Sequence, residues 1–185
     1  IQLVRLYKNG VPFKMSKRAG TFVTLRELVD KVGADATRFV MLTRKNDAPL
    51  DFDFDKVLEQ TKENPIFYVQ YAHARICSVM RKATEIGLAI DDATLAGSDL
   101  DSLIDSAEIT LAAKVAEFPR LVDIAARSNE PHRIAFYLYE LASDFHSLWN
   151  KGQEQPRLRF LQEDNPSTSH AKISLIRSTA VVISA

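Results

Sequence analysis

The sequence lacks the features that would place it in a membrane or an oxidising compartment. Its 185 residues include one cysteine, Cys77, which cannot form an internal disulfide, and this favours a reducing, cytoplasmic setting. No apolar run approaches the roughly 18 to 20 residues that span a bilayer, and no charged and apolar leader opens the chain. We therefore expect neither membrane insertion nor secretion.

The chain also lacks an excess of charge of either sign, with 24 Lys and Arg against 24 Asp and Glu. A nucleic-acid partner would therefore have to bind a local basic patch. The charges are segregated, because residues 1–20 and 65–83 contain no acid whereas residues 84–110 contain no base. This pattern predicts one face that attracts a polyanion and one that repels it, although ordinary solvated faces fit the charge pattern equally well.

The hydrophobic pattern predicts a mostly α-helical chain that begins with a β-hairpin. Asn9-Gly10 is typical of a tight hairpin turn between strands near residues 2–7 and 11–13. Thr24 and Glu27 form a capping box that opens a helix, and Gly33 can end it. Residues 47–55 are interpreted as a linker, with the aromatics of this stretch anchored and its acids, Asp51, Asp53 and Asp55, solvated. Further helices are predicted near residues 35–45, 55–86, 100–118, 119–127, 131–151 and 171–183. Pro65 should kink or restart the second of these, and Gly152 should cap the fifth. A loop is predicted at residues 153–170.

The segment from Lys14 to Gly20, KMSKRAG, carries three cations and a hydroxyl between the hairpin and the helix at Thr24. Such a loop can bind a polyphosphate, although an exposed basic turn without function is the simpler alternative. KMSKR resembles the KMSKS-type loop of class I aminoacyl-tRNA synthetases. The resemblance implies that Lys17 is catalytic and neutralises the departing pyrophosphate, that Lys14 and Ser16 hold the ATP phosphates, and that Met15 lies near the adenine.

Four further segments resemble segments of arginyl-tRNA synthetases. The first of the four also resembles cysteinyl- and methionyl-tRNA synthetases. They are residues 33–39 (GADATRF), 64–75 (NPIFYVQYAHAR), 130–135 (EPHRIA) and 145–150 (FHSLWN). The resemblance implies a helical bundle that binds the tRNA anticodon, preceded by a short hairpin and stem-contact helices. It implies a boundary near residue 55, with the end of a catalytic domain at 1–55 and the bundle at 56–185.

The same resemblance implies partners and substrates. The parent enzyme would join L-arginine to tRNA(Arg) with ATP and Mg²⁺. Because both chain ends fall inside predicted elements, we interpret the sequence as a fragment. It lacks the HIGH-type element and the Rossmann portion that the resemblance implies for the whole enzyme, so we expect it to be inactive alone and to bind no cofactor. We also expect a monomer. A free-standing tRNA-binding module, another class I synthetase and a helical interaction scaffold are the alternatives.

A helical wheel over residues 66–83 separates two faces. Ile66, Val69, Ile76, Met80 and Ala83 gather on one, and a stripe of Tyr68, Tyr71, Arg75, Ser78 and Lys82 lies on another. Single-stranded RNA binds surfaces where aromatic rings stack on its bases and nearby cations contact its phosphates. The stripe fits such a surface, although half-buried packing tyrosines would give the same pattern.

Trp149 follows a core pattern of Ile134, Leu138, Leu141, Phe145 and Leu148. It is either a further RNA contact or part of the bundle core. The four histidines and one cysteine show no metal-ligand spacing, so no metal site is predicted.

Overall fold

The computed structural model describes residues 3–16, 18, 20, 22–162 and 164–185. Within these residues the chain forms eight α-helices and one three-stranded sheet, so the mostly α-helical fold class is confirmed. The strands are β1 (Val4–Lys8), β2 (Val11–Pro12) and β3 (Leu50–Asp53). The helices are α1 (Leu25–Val32), α2 (Ala34–Leu42), α3 (Phe54–Leu58), α4 (Pro65–Glu85), α5 (Asp92–Ala96), α6 (Ser106–Ser128), α7 (His132–Glu154) and α8 (Pro166–Ser184), with a 3₁₀ turn at Pro156–Leu158.

The chain divides into two compact units. The first comprises Ile1–Tyr68 and Leu121–Tyr137, and the second comprises Val69–Arg120 and Leu138–Ala185. The domain boundary near residue 55 stays a prediction. None of the helices in the described ranges is long and apolar enough to cross a membrane.

The sheet of the first unit has the order β2-β1-β3. The predicted hairpin turn is confirmed, because Asn9 and Gly10 have positive φ angles of 50° and 76° between antiparallel β1 and β2. The linker predicted at residues 47–55 is wrong in part, because β3 pairs with β1 in parallel over four residues. Leu50 and Phe52 are buried on β3, and this period-two burial favours a strand over a linker.

The predicted aromatic anchors are confirmed, whereas the prediction of solvated acids is wrong for one residue. Phe52 and Phe54 are buried with Leu28, Val32 and Leu50 in the core of the first unit. Asp51 is exposed and Asp55 half-buried, but Asp53 is only 8% exposed. Its carboxylate accepts backbone hydrogen bonds instead of facing water.

The beginning of α1 follows the predicted capping box. The Thr24 hydroxyl accepts a hydrogen bond from the Glu27 N–H at 3.1 Å, and the Glu27 carboxylate accepts one from the Thr24 N–H at 2.6 Å. Gly33, with φ at 87°, ends the helix as predicted. The sequence therefore fixes both ends of α1 by local chemistry.

The helix predicted at residues 55–86 is two helices. α3 ends at Leu58 and α4 begins at Pro65, so Pro65 restarts the helix and does not kink it. The Asn64 side chain donates hydrogen bonds to the carbonyl oxygens of Val57 and Glu59 at 2.9 Å and 2.7 Å. These bonds satisfy carbonyls that a continuous helix would have used, which stabilises the break.

The break predicted between Phe118 and Pro119 is absent, because α6 continues through Pro119. A proline inside a helix loses one backbone hydrogen bond. Leu111 and Ala125, on either side of it in sequence, are both buried, and their packing offsets that loss. α6 begins at Ser106, later than predicted, where Asp105 accepts a hydrogen bond from the Ala107 N–H at 2.9 Å.

Two predictions about the C-terminal helices are also corrected. Gly152 lies within α7 and does not cap it. A Cβ atom there would lie 3.2 Å from the Leu158 carbonyl oxygen, so the glycine allows a close backbone approach. The loop predicted at residues 153–170 is shorter, because Pro156–Leu158 forms a 3₁₀ turn and α8 begins at Pro166.

The acidic zone predicted at residues 84–110 is not all surface. Glu108 pairs with Lys172, and both side chains are 3% exposed. Asp105 forms ion pairs with Lys151 and Arg157 at 3.4 Å and 3.3 Å. The acids of this zone therefore partly stabilise the second unit and do not all repel a polyanion.

Candidate nucleic-acid interface and cationic loop

The cationic loop lies between β2 and α1 in the first unit. Lys14 and Arg18 are exposed, Met15 is 48% exposed and Ser16 is half-buried. Lys17, which the resemblance makes catalytic, lies outside the described residues. The described part of the loop thus presents two cations and one hydroxyl on the surface, which is chemistry that suits a polyphosphate.

The segment before the loop is anchored to the core of the first unit. The Phe13 N–H donates a hydrogen bond to the Leu6 carbonyl oxygen at 2.8 Å. The Phe13 ring meets the buried Phe54 ring edge to face, with centroids 6.2 Å apart. These contacts fix the backbone at Phe13, and Lys14 is the next residue.

The face of α4 predicted to pack is buried. Ile66, Val69, Ile76 and Ala83 are at most 6% exposed, and Met80 packs on a core cluster with Ala83. The predicted stripe is more open than this face. Ser78 and Lys82 are exposed and Tyr71 is 42% exposed, whereas Tyr68 and Arg75 are half-buried. The two faces of the helix are therefore separated as the wheel predicts.

Arg75 is held between two rings of the second unit. Its guanidinium carbon lies 4.2 Å from the centroid of the Tyr71 ring and 4.7 Å from that of the Trp149 ring. Cation–π attraction of this kind contributes about 0.5 to 1 kcal/mol per pair at exposed sites. The structure thus brings together three of the predicted RNA-binding residues, Tyr71 and Arg75 from α4 and Trp149 from α7.

His146 joins this cluster and is a residue that the sequence analysis missed. Its Nδ1 lies 2.9 Å from Arg75 Nη1, and its ring centroid lies 5.6 Å from that of Tyr71. Because an arginine side chain can only donate, His146 Nδ1 is the acceptor of this hydrogen bond. The spacing of three residues between His146 and Trp149, one helical turn, is the signal that could have identified it.

Trp149 lies at the edge of the core. Its ring contacts Phe145 and Phe160, with centroids 6.1 Å away in each case. Those two rings stack on each other at 5.8 Å with an angle of 4°. Leu141, Phe145 and Leu148 are buried as predicted, whereas Ile134 and Leu138 are half-buried. Trp149, itself half-buried, therefore has one part packed in the bundle and another part beside Arg75.

A cleft of about 270 Å³ adjoins Trp149 in the second unit. Its lining includes Lys82 from α4 and Arg159 from the segment after the 3₁₀ turn. Both side chains are exposed. The cleft therefore combines an aromatic wall with two cations, and Arg159 is a second residue that the sequence analysis missed, because it lies in a segment interpreted as an irregular loop.

Tyr68, on α4, is the remaining member of the predicted RNA-binding set. It is half-buried and belongs to the first unit, whereas Tyr71, Arg75, Lys82 and Trp149 belong to the second. No group of three or more His, Cys, Asp or Glu side chains in the described ranges could hold a metal ion. Cys77 is half-buried beside His73, with Sγ 3.7 Å from Nδ1.

The second unit is thus a helical bundle that displays an arginine between aromatic rings, which is the class of surface that single-stranded RNA binds. Residues 69–185 match the family profile described as the DALR anticodon binding domain. The match covers more than half of the chain, and the chain belongs to this family.

Curated relatives of high similarity include bacterial arginine–tRNA ligases. The chain is 68% identical over 184 residues to the ligase of Ruegeria pomeroyi and 71% identical over 185 residues to that of Cereibacter sphaeroides. Each match covers all of this chain but only 32% of the relative. The chain therefore spans about a third of the length of the relatives it matches.

Solved structures agree with this similarity. An arginyl-tRNA synthetase structure from Campylobacter jejuni matches with a TM-score of 0.80 and 28% identity, over 99% of this chain and 38% of that one. The Thermus thermophilus arginyl-tRNA synthetase matches with a TM-score of 0.65 and 22% identity, over 96% of this chain and 32% of that one. The second likeness supports the fold alone.

Proposed function

We propose that this chain is the C-terminal part of an arginine–tRNA ligase and that its second unit binds the anticodon region of tRNA(Arg). The observation that carries the proposal is Arg75, held at the surface between Tyr71 and Trp149. A guanidinium fixed in this way can meet a phosphate or stack on a base, and the partly exposed Tyr71 ring offers a second stacking surface.

Lys82 and Tyr68 extend the proposed RNA surface. Lys82, with Arg159, offers positive charge beside the cleft at Trp149, where a phosphate next to an unstacked base could bind. Tyr68 is half-buried on α4, and we propose that its ring contributes to the tRNA contact. Because long-range attraction to RNA is electrostatic, these cations should raise affinity without selecting sequence.

The cationic loop is proposed to bind ATP in the complete ligase. Lys14, Ser16 and Lys17 would hold the phosphates, Met15 would lie near the adenine, and residues 1–55 would form the end of the catalytic domain. Lys17 is the proposed catalytic residue, because a cation placed where pyrophosphate charge develops lowers the barrier by a few kcal/mol. Mg²⁺ would arrive with the ATP phosphates, since the donor sets of the described residues offer no metal site.

The proposed reaction joins L-arginine to tRNA(Arg) through arginyl-adenylate, in the cytoplasm and with a monomeric ligase. The free-standing tRNA-binding module is the less favoured function, because anticodon binding has no use for a phosphate-binding loop. Cysteinyl and methionyl ligases are less favoured because the relatives compared are arginine–tRNA ligases at 61% identity or more.

Titration of this chain with tRNA(Arg) at several salt concentrations tests the RNA-binding proposal. We expect saturable binding whose affinity falls steeply as salt rises, because counterions leave the RNA when cations bind it. Arg75→Ala should weaken binding about tenfold, and the salt slope should fall by about one if Arg75 meets a phosphate.

Arg81→Ala is the matched control, because Arg81 is exposed on the same helix but lies outside the stripe. An equal loss of affinity in both variants would indicate general charge attraction instead of a site at Arg75. Absence of saturable binding in the unsubstituted chain would favour the interaction scaffold.

A further inference from the structure

Two acidic side chains near the end of β3 hold the turn between β1 and β2. The Gly10 N–H donates a hydrogen bond to Asp53 Oδ2 at 2.7 Å, and the Asn9 N–H donates one to Asp55 Oδ2 at 3.0 Å. Asn9 and Gly10 are the two turn residues with positive φ. The turn is therefore tied by two charge-assisted bonds to a segment 43 and 46 residues further along the chain.

Asp53 is itself fixed by the beginning of α3. Its Oδ1 accepts hydrogen bonds from the N–H groups of Asp55 and Lys56 at 3.0 Å and 3.5 Å. Burial raises the pKa of the Asp53 carboxyl, but the N–H donors of Gly10, Asp55 and Lys56 outweigh burial and hold the pKa below its usual range. The ionised carboxylate is thus the form that the folded chain stabilises.

The backbone before the cationic loop is held at two points, by the contacts of Phe13 described above and by this turn. β2 is only two residues long and pairs with β1 at Pro12 and Val11, so few ladder hydrogen bonds hold it. Lys14 lies two residues after β2. A change in the turn at Asn9 and Gly10 would therefore move the backbone that leads to Lys14.

We infer that Asp53 and Asp55 are positioning residues for the cationic loop. By holding the turn, their carboxylates set where Lys14 and Ser16 are presented to a polyphosphate, and neither acid needs to touch that ligand. The inference rests on the proposed function, in which this loop binds the ATP phosphates. It adds two acids outside the loop motif to the residues that determine ATP affinity.

Steady-state kinetics of the full-length ligase test the inference. Asp53→Ala should raise KM for ATP about tenfold and Asp55→Ala about threefold, as expected for the loss of one charge-assisted hydrogen bond from a buried and from a half-buried acid. KM for arginine and the Kd for tRNA should stay within about twofold of the unsubstituted enzyme, because those ligands do not depend on this turn.

Asp51→Ala is the matched control. Asp51 lies on the same strand, is exposed, and pairs with Arg5 at 2.6 Å instead of binding the turn. The amide variants sharpen the test. Asp55→Asn retains a neutral acceptor for Asn9 but loses the charge, so its KM for ATP should lie between those of the unsubstituted enzyme and Asp55→Ala. In the folded chain both carboxylate oxygens of Asp53 accept hydrogen bonds, whereas an asparagine at this position has only one acceptor oxygen. The KM for ATP of Asp53→Asn should therefore lie between those of the unsubstituted enzyme and Asp53→Ala.

A second measurement reports on the loop directly. Trypsin cleaves after Lys14, and ATP should protect this bond less in Asp53→Ala than in Asp51→Ala at equal ATP concentration. A general loss of stability would instead accelerate cleavage with and without ATP to the same extent. If Asp53→Ala does not fold, Asp55→Ala decides by the same two measurements.

Two outcomes separate this inference from the proposed function. If Lys17→Ala slows pyrophosphate exchange but Asp53→Ala and Asp55→Ala leave KM for ATP within twofold, the positioning role is overturned and the ATP loop stands. If Lys17→Ala leaves exchange unchanged, the proposed function of the loop fails, and the inference fails with it.

Discussion

The two candidate sites are built in opposite ways. The cationic loop is a continuous segment of the first unit, and the adjoining turn, tied to Asp53 and Asp55, sets its position. The proposed RNA-binding cluster joins Arg75 from α4 to His146, 71 residues away on α7, so it exists only when the bundle of the second unit is packed. A local site should tolerate damage to the bundle, whereas an assembled site should not.

The two sites also differ in what holds their charged groups. Backbone N–H groups of the turn bind Asp53 and Asp55, and these bonds need β3 to be paired with β1. Arg75 is held by side chains alone, two rings and one imidazole. The RNA-binding cluster should therefore respond to single side-chain changes that leave the backbone intact.

The largest expected effect comes from the aromatic core under the cluster. Phe145 is fully buried and stacks on Phe160 beside Trp149. Phe145→Ala should lower the free energy of unfolding of the second unit by about 4 kcal/mol, since it removes a large buried ring and leaves a cavity. Urea unfolding followed by Trp149 fluorescence measures this.

The same variant tests the comparison between the sites. Phe145→Ala should weaken tRNA binding while leaving KM for ATP of the full-length ligase unchanged. Phe52→Ala, which removes a fully buried ring from the first unit, is the matched control. It should raise KM for ATP and leave tRNA binding unchanged. Parallel losses in both variants would contradict the independence of the two sites.

The next effect concerns the buried ion pair between Glu108 and Lys172. Lys172→Met should lower the free energy of unfolding by about 3 kcal/mol, because it leaves the Glu108 carboxylate buried without its counter-ion, with the Asp105 N–H as its remaining hydrogen-bond partner. The double variant with Glu108→Leu should recover most of this loss, since an apolar pair of similar size avoids the desolvation cost. A double-mutant cycle by urea unfolding measures the coupling, and a double variant as unstable as Lys172→Met would contradict this account.

Sequence reasoning identified the local features of the fold well. Asn9-Gly10 and the pair of Thr24 and Glu27 act through neighbouring backbone groups, so their motifs could be recognised directly. β3 was missed because its pairing with β1 is non-local. The continuation of α6 through Pro119 was missed because buried residues on both sides outweigh the cost of one proline.

The candidate sites divide in the same way. The cationic loop was recognisable as a motif, and the periodicity of α4 placed Tyr71 and Arg75 on one stripe. His146 and Arg159 could not be added from periodicity on α4, because their contacts depend on how α4, α7 and the segment after the 3₁₀ turn pack. Tertiary packing therefore decides the membership of the assembled site.

A smaller effect is expected from the imidazole that holds Arg75. His146→Leu removes the acceptor for Arg75 and should weaken tRNA binding about fivefold, which corresponds to about 1 kcal/mol. His146→Asn offers an oxygen near the position of Nδ1 and should recover part of the affinity. Filter binding at fixed salt measures both, and equal losses in the two variants would show that the ring itself matters more than its hydrogen bond.

The smallest effect comes from the cap of α1, which follows the cationic loop. Thr24→Ala should lower the free energy of unfolding of the first unit by about 1 kcal/mol and leave tRNA affinity unchanged. Asp91→Ala is the matched control, because Asp91 caps α5 in the second unit by accepting a hydrogen bond from the Thr94 N–H at 3.0 Å. Only Thr24→Ala should alter ATP-dependent protection of the loop from trypsin.

The stability loss caused by Thr24→Ala should depend on pH, because the cap includes the Glu27 carboxylate. The hydrogen bonds from the Thr24 backbone and side chain lower the pKa of Glu27 below its usual range. The ionised Glu27 therefore stabilises the folded chain above the ordinary glutamate pKa, near 4.3, and this contribution is lost as the pH falls through the lowered value. The stability difference between Thr24→Ala and the unsubstituted chain should thus be largest near neutral pH and shrink below about pH 4. Urea unfolding at pH 7 and pH 3.5 measures it, and a difference that does not change with pH would mean that the Glu27 carboxylate takes no part in the cap.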